Sequence, residues 1–423
     1  MAPNSNFQSQ SITVSPTAPD SRADAYIAAI ATAAPLKVPA KHFAQVMRRH
    51  RENRGISSKQ IAAFEKIFAG TGITTMNYSA YSFHEGTDRA TVVKQGKAAG
   101  EPGPGERDIA YVDYSRSERG IIFQHYAYEL ALEAAKNALS KYHGSLNDIT
   151  HVVTTCTSGW HEPGIACHLI HELGLSLNTQ KIELNYNGCF TGLACIRTAR
   201  DIVRAGGNVT DRRVVLVVAT EVTSVQYSAD ADDIESLVAL SLFGDGSGAT
   251  IIAPEGEWLL SSSGSSLVPE SRHLLTMKPH QDPGKKDNSC YVMGLNPNVP
   301  KAIGGYFANG YGSHLLDNMT KHLESVDGTM PEVACHPGGP KILDAIKLTL
   351  DSRGFPSDAL DRSYKTLQTN GNLGSAAVLF VLEEVLNNTD RDEIFSFAFG
   401  PGVTVEWGHL CRRGNNMNIA AAQ

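Results

Sequence analysis

Asn185-Tyr-Asn-Gly-Cys-Phe-Thr-Gly-Leu-Ala-Cys-Ile-Arg-Thr-Ala-Arg200 sets one cysteine between a strand-like run and a helix-like run. Upstream, Lys181-Ile-Glu-Leu-Asn185 reads as a short strand. Downstream, Phe190, Leu193, Ala194, Ala199, Ile202 and Val203 recur at helical spacing on one face. Cys189 is therefore predicted at or just before a helix N-terminus, where unpaired N–H groups and the helix dipole favour negative charge. A thiol so placed ionises readily, which makes Cys189 a candidate nucleophile. Gly188 and Gly192 beside it would let backbone or substrate approach closely. The plain alternative is a small buried hydrophobe, which is what most unpaired cysteines are.

A chain of 423 residues with 42% hydrophobic content can bury a large core and should hold more than one domain or a pair of fused halves. The formal charge of -7 argues against non-specific binding to nucleic acid or a membrane, and leaves room for a local basic entrance for an anionic ligand. The cysteines at 156, 167, 189, 195, 290, 335 and 411 form an odd set without CxxC or zinc-like spacing. That set reads as a reducing, cytoplasmic compartment, with no metal site expected. No hydrophobic run reaches the roughly 18 residues of a membrane-spanning helix. Residues 1–24, rich in Ser, Pro, Asn and Thr, lack the apolar block of a signal peptide and read as a flexible tail.

Along the chain, a strand-like run from Asp24 to about Ala34 precedes a basic helical segment, Val38 to Arg54, and a second helix holding Ile61, Phe64, Ile67 and Phe68. Residues 96–105 are too rich in glycine and proline for regular structure. Phe123 to Tyr142 is a predicted amphipathic helix, followed by the apolar strand Ile149 to Val153. A helix from Gly164 to Leu173 and the strand Arg213 to Ala219 repeat the pattern on either side of the Cys189 stretch. Such apolar runs separated by helices predict parallel strands covered on both faces. Gly244-Asp-Gly-Ser-Gly-Ala249 matches a dinucleotide-binding pattern by letter, but it leads into a strand, Thr250 to Ala253, where that fingerprint opens a helix. It reads as a tight turn. The second half repeats the grammar: helix Gly304 to Leu323, strand Glu332 to Cys335, helix Pro340 to Leu350, helix Ser375 to Leu386, and closing strands Ile394 to Phe399 and Val403 to Leu410. Two related α/β halves follow, 25–260 with the cysteine and 261–423.

Three further stretches hold residues that packing alone explains poorly. His336, in Cys335-His-Pro-Gly-Gly-Pro340, follows an apolar strand and precedes a helix, where side chains reach a crevice at strand ends. Asn372 lies in Thr369-Asn-Gly-Asn-Leu-Gly-Ser375, also entering a helix, and Phe399 begins a rigid Phe-Gly-Pro-Gly402 turn. A lone histidine is usually a satisfied structural residue, and an asparagine in a glycine-rich turn is usually there for its backbone. With Cys189 they make a Cys/His/Asn set, able to supply an activated thiol and two donors to a developing oxyanion.

With these segments the chain resembles a type III polyketide synthase of the chalcone and stilbene synthase family. The matching segments are Thr157-Ser-Gly159 with Pro163-Gly164, Asn187-Gly-Cys-Phe190, Thr220-Glu-Val-Thr223, Leu242-Phe-Gly-Asp-Gly246, His336-Pro-Gly-Gly-Pro340, Gly371-Asn372 and Phe399-Gly-Pro-Gly402, in family order over roughly residues 25 to 412. The resemblance implies a thiolase-like αβαβα five-layered fold of two related halves, a homodimer, and a single site that uses free coenzyme A thioesters as substrates with no bound cofactor. It implies that Cys189 takes the starter acyl group and holds the growing chain. It further implies that His336 keeps the thiol ionised as an imidazolium, and that His336 and Asn372 hydrogen-bond the malonyl thioester carbonyl while CO2 leaves. Phe243 would supply the apolar wall against the carboxylate, with core packing as the alternative. Thr157, Thr223 and Phe399 fall at substrate-facing positions. Lys66 and Gly338 fall where coenzyme A is bound, though a solvated lysine explains Lys66 equally well.

Against the plant enzymes, Gln226 replaces a small threonine, Met293 a second gatekeeping phenylalanine, Gly374 a serine near Asn372, and Glu162 a methionine that reaches the partner subunit. Loss of the phenylalanine and serine side chains predicts a tunnel for a long acyl starter, as in the fungal members that make alkylpyrones and alkylresorcinols. A ketoacyl synthase III of fatty acid synthesis is the nearest alternative, since it shares the fold and the Cys/His/Asn trio. His336-Pro-Gly-Gly-Pro340 and the Gly-Pro-Gly turn speak against it. A papain-type hydrolase and an inactive scaffold that keeps the fold are the remaining readings. The buried strands oppose the first and the complete trio opposes the second.

Overall fold

The structure, a computed structural model, describes residues 23–79, 116–206, 211–226, 234–279, 291–310, 312–317 and 330–413. Nearly all of the expected N-terminal tail, the glycine-rich stretch at 96–105 and Cys290 lie outside these residues. The described strands are β1 (Tyr26–Ala33), β2 (Lys37–Pro39), β3 (Thr75–Asn77), β4 (Ile149–Thr155), β5 (Gln180–Glu183), β6 (Val214–Glu221), β7 (Gly246–Ala253), β8 (Trp258–Leu267), β9 (Leu275–Pro279), β10 (Tyr291–Leu295), β11 (Glu332–Cys335), β12 (Glu393–Gly400) and β13 (Thr404–Arg412). The helices are α1 (Ala40–Asn53), α2 (Ser58–Ala69), α3 (Arg116–Lys141), α4 (Ile165–Glu172), α5 (Thr191–Ala205), α6 (Ile234–Leu242), α7 (Val299–Asn309), α8 (Pro340–Asp351), α9 (Asp361–Asn370) and α10 (Ala377–Asn388).

Nine strands form one sheet in the order β11-β12-β13-β8-β1-β7-β6-β4-β5. Its two halves share a pattern. In one, β4 runs parallel to β6, which pairs antiparallel with β7 and then β1; in the other, β11 runs parallel to β12, which pairs antiparallel with β13 and then β8. The halves join where Tyr26 and Ile27 of β1 meet Leu259 and Trp258 of β8. The uniformly parallel sheet expected from the apolar runs is corrected to a mixed one. Every residue of β6 and β7 is buried although the two run antiparallel. Uniform apolarity reports helices on both faces and is blind to strand direction.

Side-chain alternation divides the core into layers. Val214, Leu216 and Val218 of β6 face α3 and α4, whereas Val215, Val217 and Ala219 face α5 and α10. On β12, Ile394 and Ala398 face that same middle layer, and Phe395, Phe397 and Phe399 face α7 and α8. The result is the thiolase-like arrangement of helix, sheet, helix, sheet and helix. Gly192 lets the two central helices meet, because a Cβ there would lie 2.2 Å from the Ser375 carbonyl oxygen, just ahead of α10.

Candidate active site

Four strand ends converge on Cys189. β4 leads to Thr157, β6 ends in Glu221, β11 leads to His336, and β12 ends in Phe399 and Gly400. Cys189 itself sits two residues ahead of α5, in a turn where Tyr186 and Gly188 take positive φ of 62° and 91°. Gly188 is required twice over. Besides its φ, a Cβ there would lie 2.3 Å from Pro401 Cδ.

The groups around the thiol interlock in a closed ring. Gly188 N donates to Thr157 Oγ1 (3.1 Å). The Thr157 and Ser158 amides donate to the Glu221 carboxylate at 2.9–3.2 Å. Ser375 gives the same carboxylate its hydroxyl (2.5 Å) and its amide (3.3 Å). Gly374 N donates to Asn372 Oδ1 (3.0 Å), and Asn372 Nδ2 donates to the Gly338 carbonyl (3.2 Å). His336 N then donates to the Phe397 carbonyl (2.7 Å), and at the end of that strand Gly400 packs against the Cys189 and Phe190 amides. Phe243 pairs with Asn372 through an isolated parallel bridge, flanked by Asn372 N to Leu242 O (2.7 Å) and Gly244 N to Asn372 O (3.0 Å). The Cys/His/Asn set assembles from elements far apart in sequence.

Burial works against the expected ionisation of both Cys189 and His336. Burial, together with the negative Glu221, pushes the Cys189 thiol up to about 12. Cys189 keeps a partly accessible face, so solvent relieves some of that push, but its direction is upward. Burial alone drives the His336 imidazole down to about 3. Burial thus opposes both charged forms expected from a helix start and a basic partner, the thiolate and the imidazolium. Desolvation of both groups outweighs the helix dipole, which is worth up to about 2 kcal/mol. A neutral imidazole has a lone pair free to receive the thiol proton. His336 Nδ1 is buried without a hydrogen-bond partner among the described residues.

His336 also makes the fold acid-sensitive. Its ordinary value is 6.5 and its folded value about 3. Between these the unfolded chain binds one more proton than the native one, so stability falls as pH falls. From pH 7 to pH 5 this group should remove about 2 kcal/mol. Urea unfolding should show that His336→Gln loses less stability than the wild type over that interval; equal losses would contradict the assignment.

Glu221 is the residue that sequence reasoning left without a role. It is buried, accepts from Thr157, Ser158 and Ser375, and is raised by desolvation against the pull of those bonds. The only signal in sequence is an acid closing an otherwise apolar strand, inside Thr220-Glu-Val-Thr223. Asp245, also buried, fixes the adjacent turn by accepting from Ser79 N, Ser224 N, Ser224 Oγ and Thr223 Oγ1. Thr223 is thereby held by Asp245 and the Gly244 carbonyl. Gln226 Nε2 donates to the Ser158 carbonyl.

The remaining candidates fall into two groups. Phe399 is buried edge-on against Phe307, and Met293 of β10 pairs with Met277 of β9 while packing on the same phenylalanine-rich core that Cys189 touches. Lys66, by contrast, is exposed in the last turn of α2, outside the interlocking ring. The space expected beside Gly374 is taken up by Glu221: a Cβ on that glycine, at φ +55°, would lie 2.9 Å from Glu221 Cγ.

This geometry is that of a thiolase-like fold with a cysteine, a histidine and an asparagine gathered in one interlocked site. The N-terminal domain of chalcone and stilbene synthases matches residues 109–256 and the C-terminal domain residues 291–412, and the chain belongs to that family as a type III polyketide synthase, an acyltransferase-type condensing enzyme. Among solved structures it is similar to the C-terminal type III polyketide synthase domain of Steely1, a type I/III hybrid from Dictyostelium. The identity is 22% and the TM-score 0.74, over 92% of this chain and 99% of that one. It is likewise similar to PKS-I of the brown alga Ectocarpus siliculosus, at 20% identity and TM-score 0.74, with the same coverage.

Proposed function

We propose that this chain loads a long acyl group from coenzyme A onto Cys189, extends it with malonyl-CoA, and closes the chain to an alkylpyrone, alkylresorcinol or resorcylic acid. The observation that carries this reading is the ring of contacts binding Cys189, Glu221, Asn372 and His336 into one site. His336 takes the thiol proton as the acyl carbonyl is attacked, and coenzyme A leaves. In the next step the C–C bond to the malonyl carboxylate breaks. CO2 departs and the electron pair delocalises onto the thioester oxygen. Asn372 retains a second Nδ2 hydrogen beside the one given to Gly338, and in this reading it and His336 donate to that oxygen. One such donor is worth about 3 to 4 kcal/mol. The enolate then attacks the acyl group, the new C–C bond forms and the Cys189 thiolate leaves, ready to be reloaded.

Catalysis requires no cofactor beyond the coenzyme A thioesters. Lys66 and Gly338 serve their binding, Lys66 at the exposed mouth. The homodimer and the cytoplasmic location follow the family resemblance. For a long starter the support is the Met293 and Met277 pair. Two flexible, polarisable side chains stand where an aromatic gate would be rigid.

A ladder of acyl-CoA starters with malonyl-CoA, read by mass analysis of products, tests the proposal. Acceptance of long-chain starters is expected, and Met293→Phe should shorten the longest starter accepted. An unchanged profile in that variant would remove Met293 from the acyl tunnel, and use of short starters alone would overturn the long-chain assignment. Gly374→Ser is a poor probe, since it would disturb Glu221 through its added Cβ.

A further inference from the structure

At the opposite end of β12 from Phe399, three ligating groups of different chemistry meet. The strand runs from Glu393 to Gly400, so the two ends stand roughly 20 Å apart. Glu393 pairs with Cys411 and Phe395 with His409 across β12 and β13, and alternation places all four side chains on one face. His409 Nε2 lies 3.1 Å from Glu393 Oε2 and 3.7 Å from Cys411 Sγ, and the three ligand atoms all fall within 4.8 Å of one another. His409 and Cys411 are buried, and Glu393 is nearly so.

Tetrahedral zinc, with Zn–N and Zn–O near 2.0–2.2 Å and Zn–S near 2.3 Å, sets its ligands about 3.3–3.6 Å apart. Two of the spacings here are within a few tenths of an ångström of that. The surroundings hold the histidine in a ligating pose. Its ring stacks on Phe395 at 4.5 Å, and its Nδ1 hydrogen-bonds Ser261 Oγ at 2.9 Å. Ser261 reaches it because the β13–β8 register shifts between His409 and Leu410, leaving Ser261 as the extra residue of a bulge. A cation at Nε2 would fix the tautomer whose Nδ1–H is given to the hydroxyl, the arrangement that zinc-bound histidines use; in the metal-free site the 3.1 Å contact suits an Nε2–H donated to Glu393.

We propose that Glu393, His409 and Cys411 form a site for a thiolate-accepting divalent cation of the zinc class, with solvent as the fourth ligand. Binding displaces the Cys411 thiol proton to solvent and joins β12 to β13 at the end of the sheet remote from Cys189. The mixed ligand set explains why cysteine spacing gave no sign of it: only one cysteine takes part.

Cobalt(II) titration of the chelator-treated full chain, followed by absorption spectroscopy, tests the site. An intense thiolate-to-cobalt charge-transfer band saturating at one ion per chain is expected. The band should persist in Cys189→Ala and vanish in Cys411→Ser. Ser261→Ala keeps all three ligands and should weaken binding by about tenfold or more. Zinc should displace the cobalt and erase the band. No band in the wild type, a band that survives Cys411→Ser, or undiminished affinity in Ser261→Ala would each overturn the proposal.

Discussion

Cys189→Ala is expected to abolish polyketide formation, lowering turnover by at least about 10⁴-fold, as loss of a nucleophile that acts in concert with its partners does elsewhere. The acyl group then loses its covalent seat in the site, and the buried thiols among the described residues are poor substitutes. Cys156, Cys195 and Cys335 are buried, and burial raises the ionisation range of each. The fold should survive, because the truncation removes one sulfur from a partly accessible position and leaves the ring of hydrogen bonds intact: Gly188 still donates to Thr157, and Ser375 to Glu221. Product analysis by mass spectrometry and unfolding by urea check the two halves of this expectation. Residual product above a thousandth of the wild-type yield would remove Cys189 from its role.

Glu221→Gln should produce the second large effect, on stability and reactivity together. The carboxylate accepts the Thr157, Ser158 and Ser375 amides and the Ser375 hydroxyl. An amide of the same size brings two N–H groups into a cluster of donors, leaving at least one buried donor unsatisfied. The expected loss is about 3 kcal/mol, in the range for a broken buried charged network. Reactivity moves the other way. Among the described residues Glu221 is the charged group that raises the Cys189 thiol, so its neutralisation lowers the thiol toward its ordinary range. Iodoacetamide should therefore alkylate Cys189 faster at pH 8 in the variant, even as the urea midpoint falls. Unchanged stability together with unchanged alkylation would show that Glu221 neither holds the ring nor faces the thiol.

Cys189 and His336 were legible because each stands where a strand breaks off before a helix, and Asn372 because it lies in a glycine-rich entry to a helix; the family resemblance joined the three. The two-half α/β architecture was legible for the same reason. Strand direction was not, since β6 and β7 are apolar throughout whichever way they run. Glu221 was hidden because its partners Thr157 and Ser375 lie 64 and 154 residues away in sequence, and nothing local marks an acid at a strand end as buried. The pressures on the thiol were only half visible on that account: the helix start is read in sequence, but the desolvation and the opposing carboxylate belong to the assembled site. Glu393, His409 and Cys411 depend on register in the same way. The alternation of His409 and Cys411 is plain, whereas Glu393 joins them only because it pairs with Cys411 across the sheet.

The most direct measurement is incubation of the purified chain with a long-chain acyl-CoA and isotopically labelled malonyl-CoA, without any carrier protein, following the intact protein and the products by mass. The account predicts an acyl adduct on the Cys189 peptide, release of CO2, and a product extended by labelled two-carbon units. Absence of the adduct, or extension only when malonate is presented on a carrier protein, would contradict it.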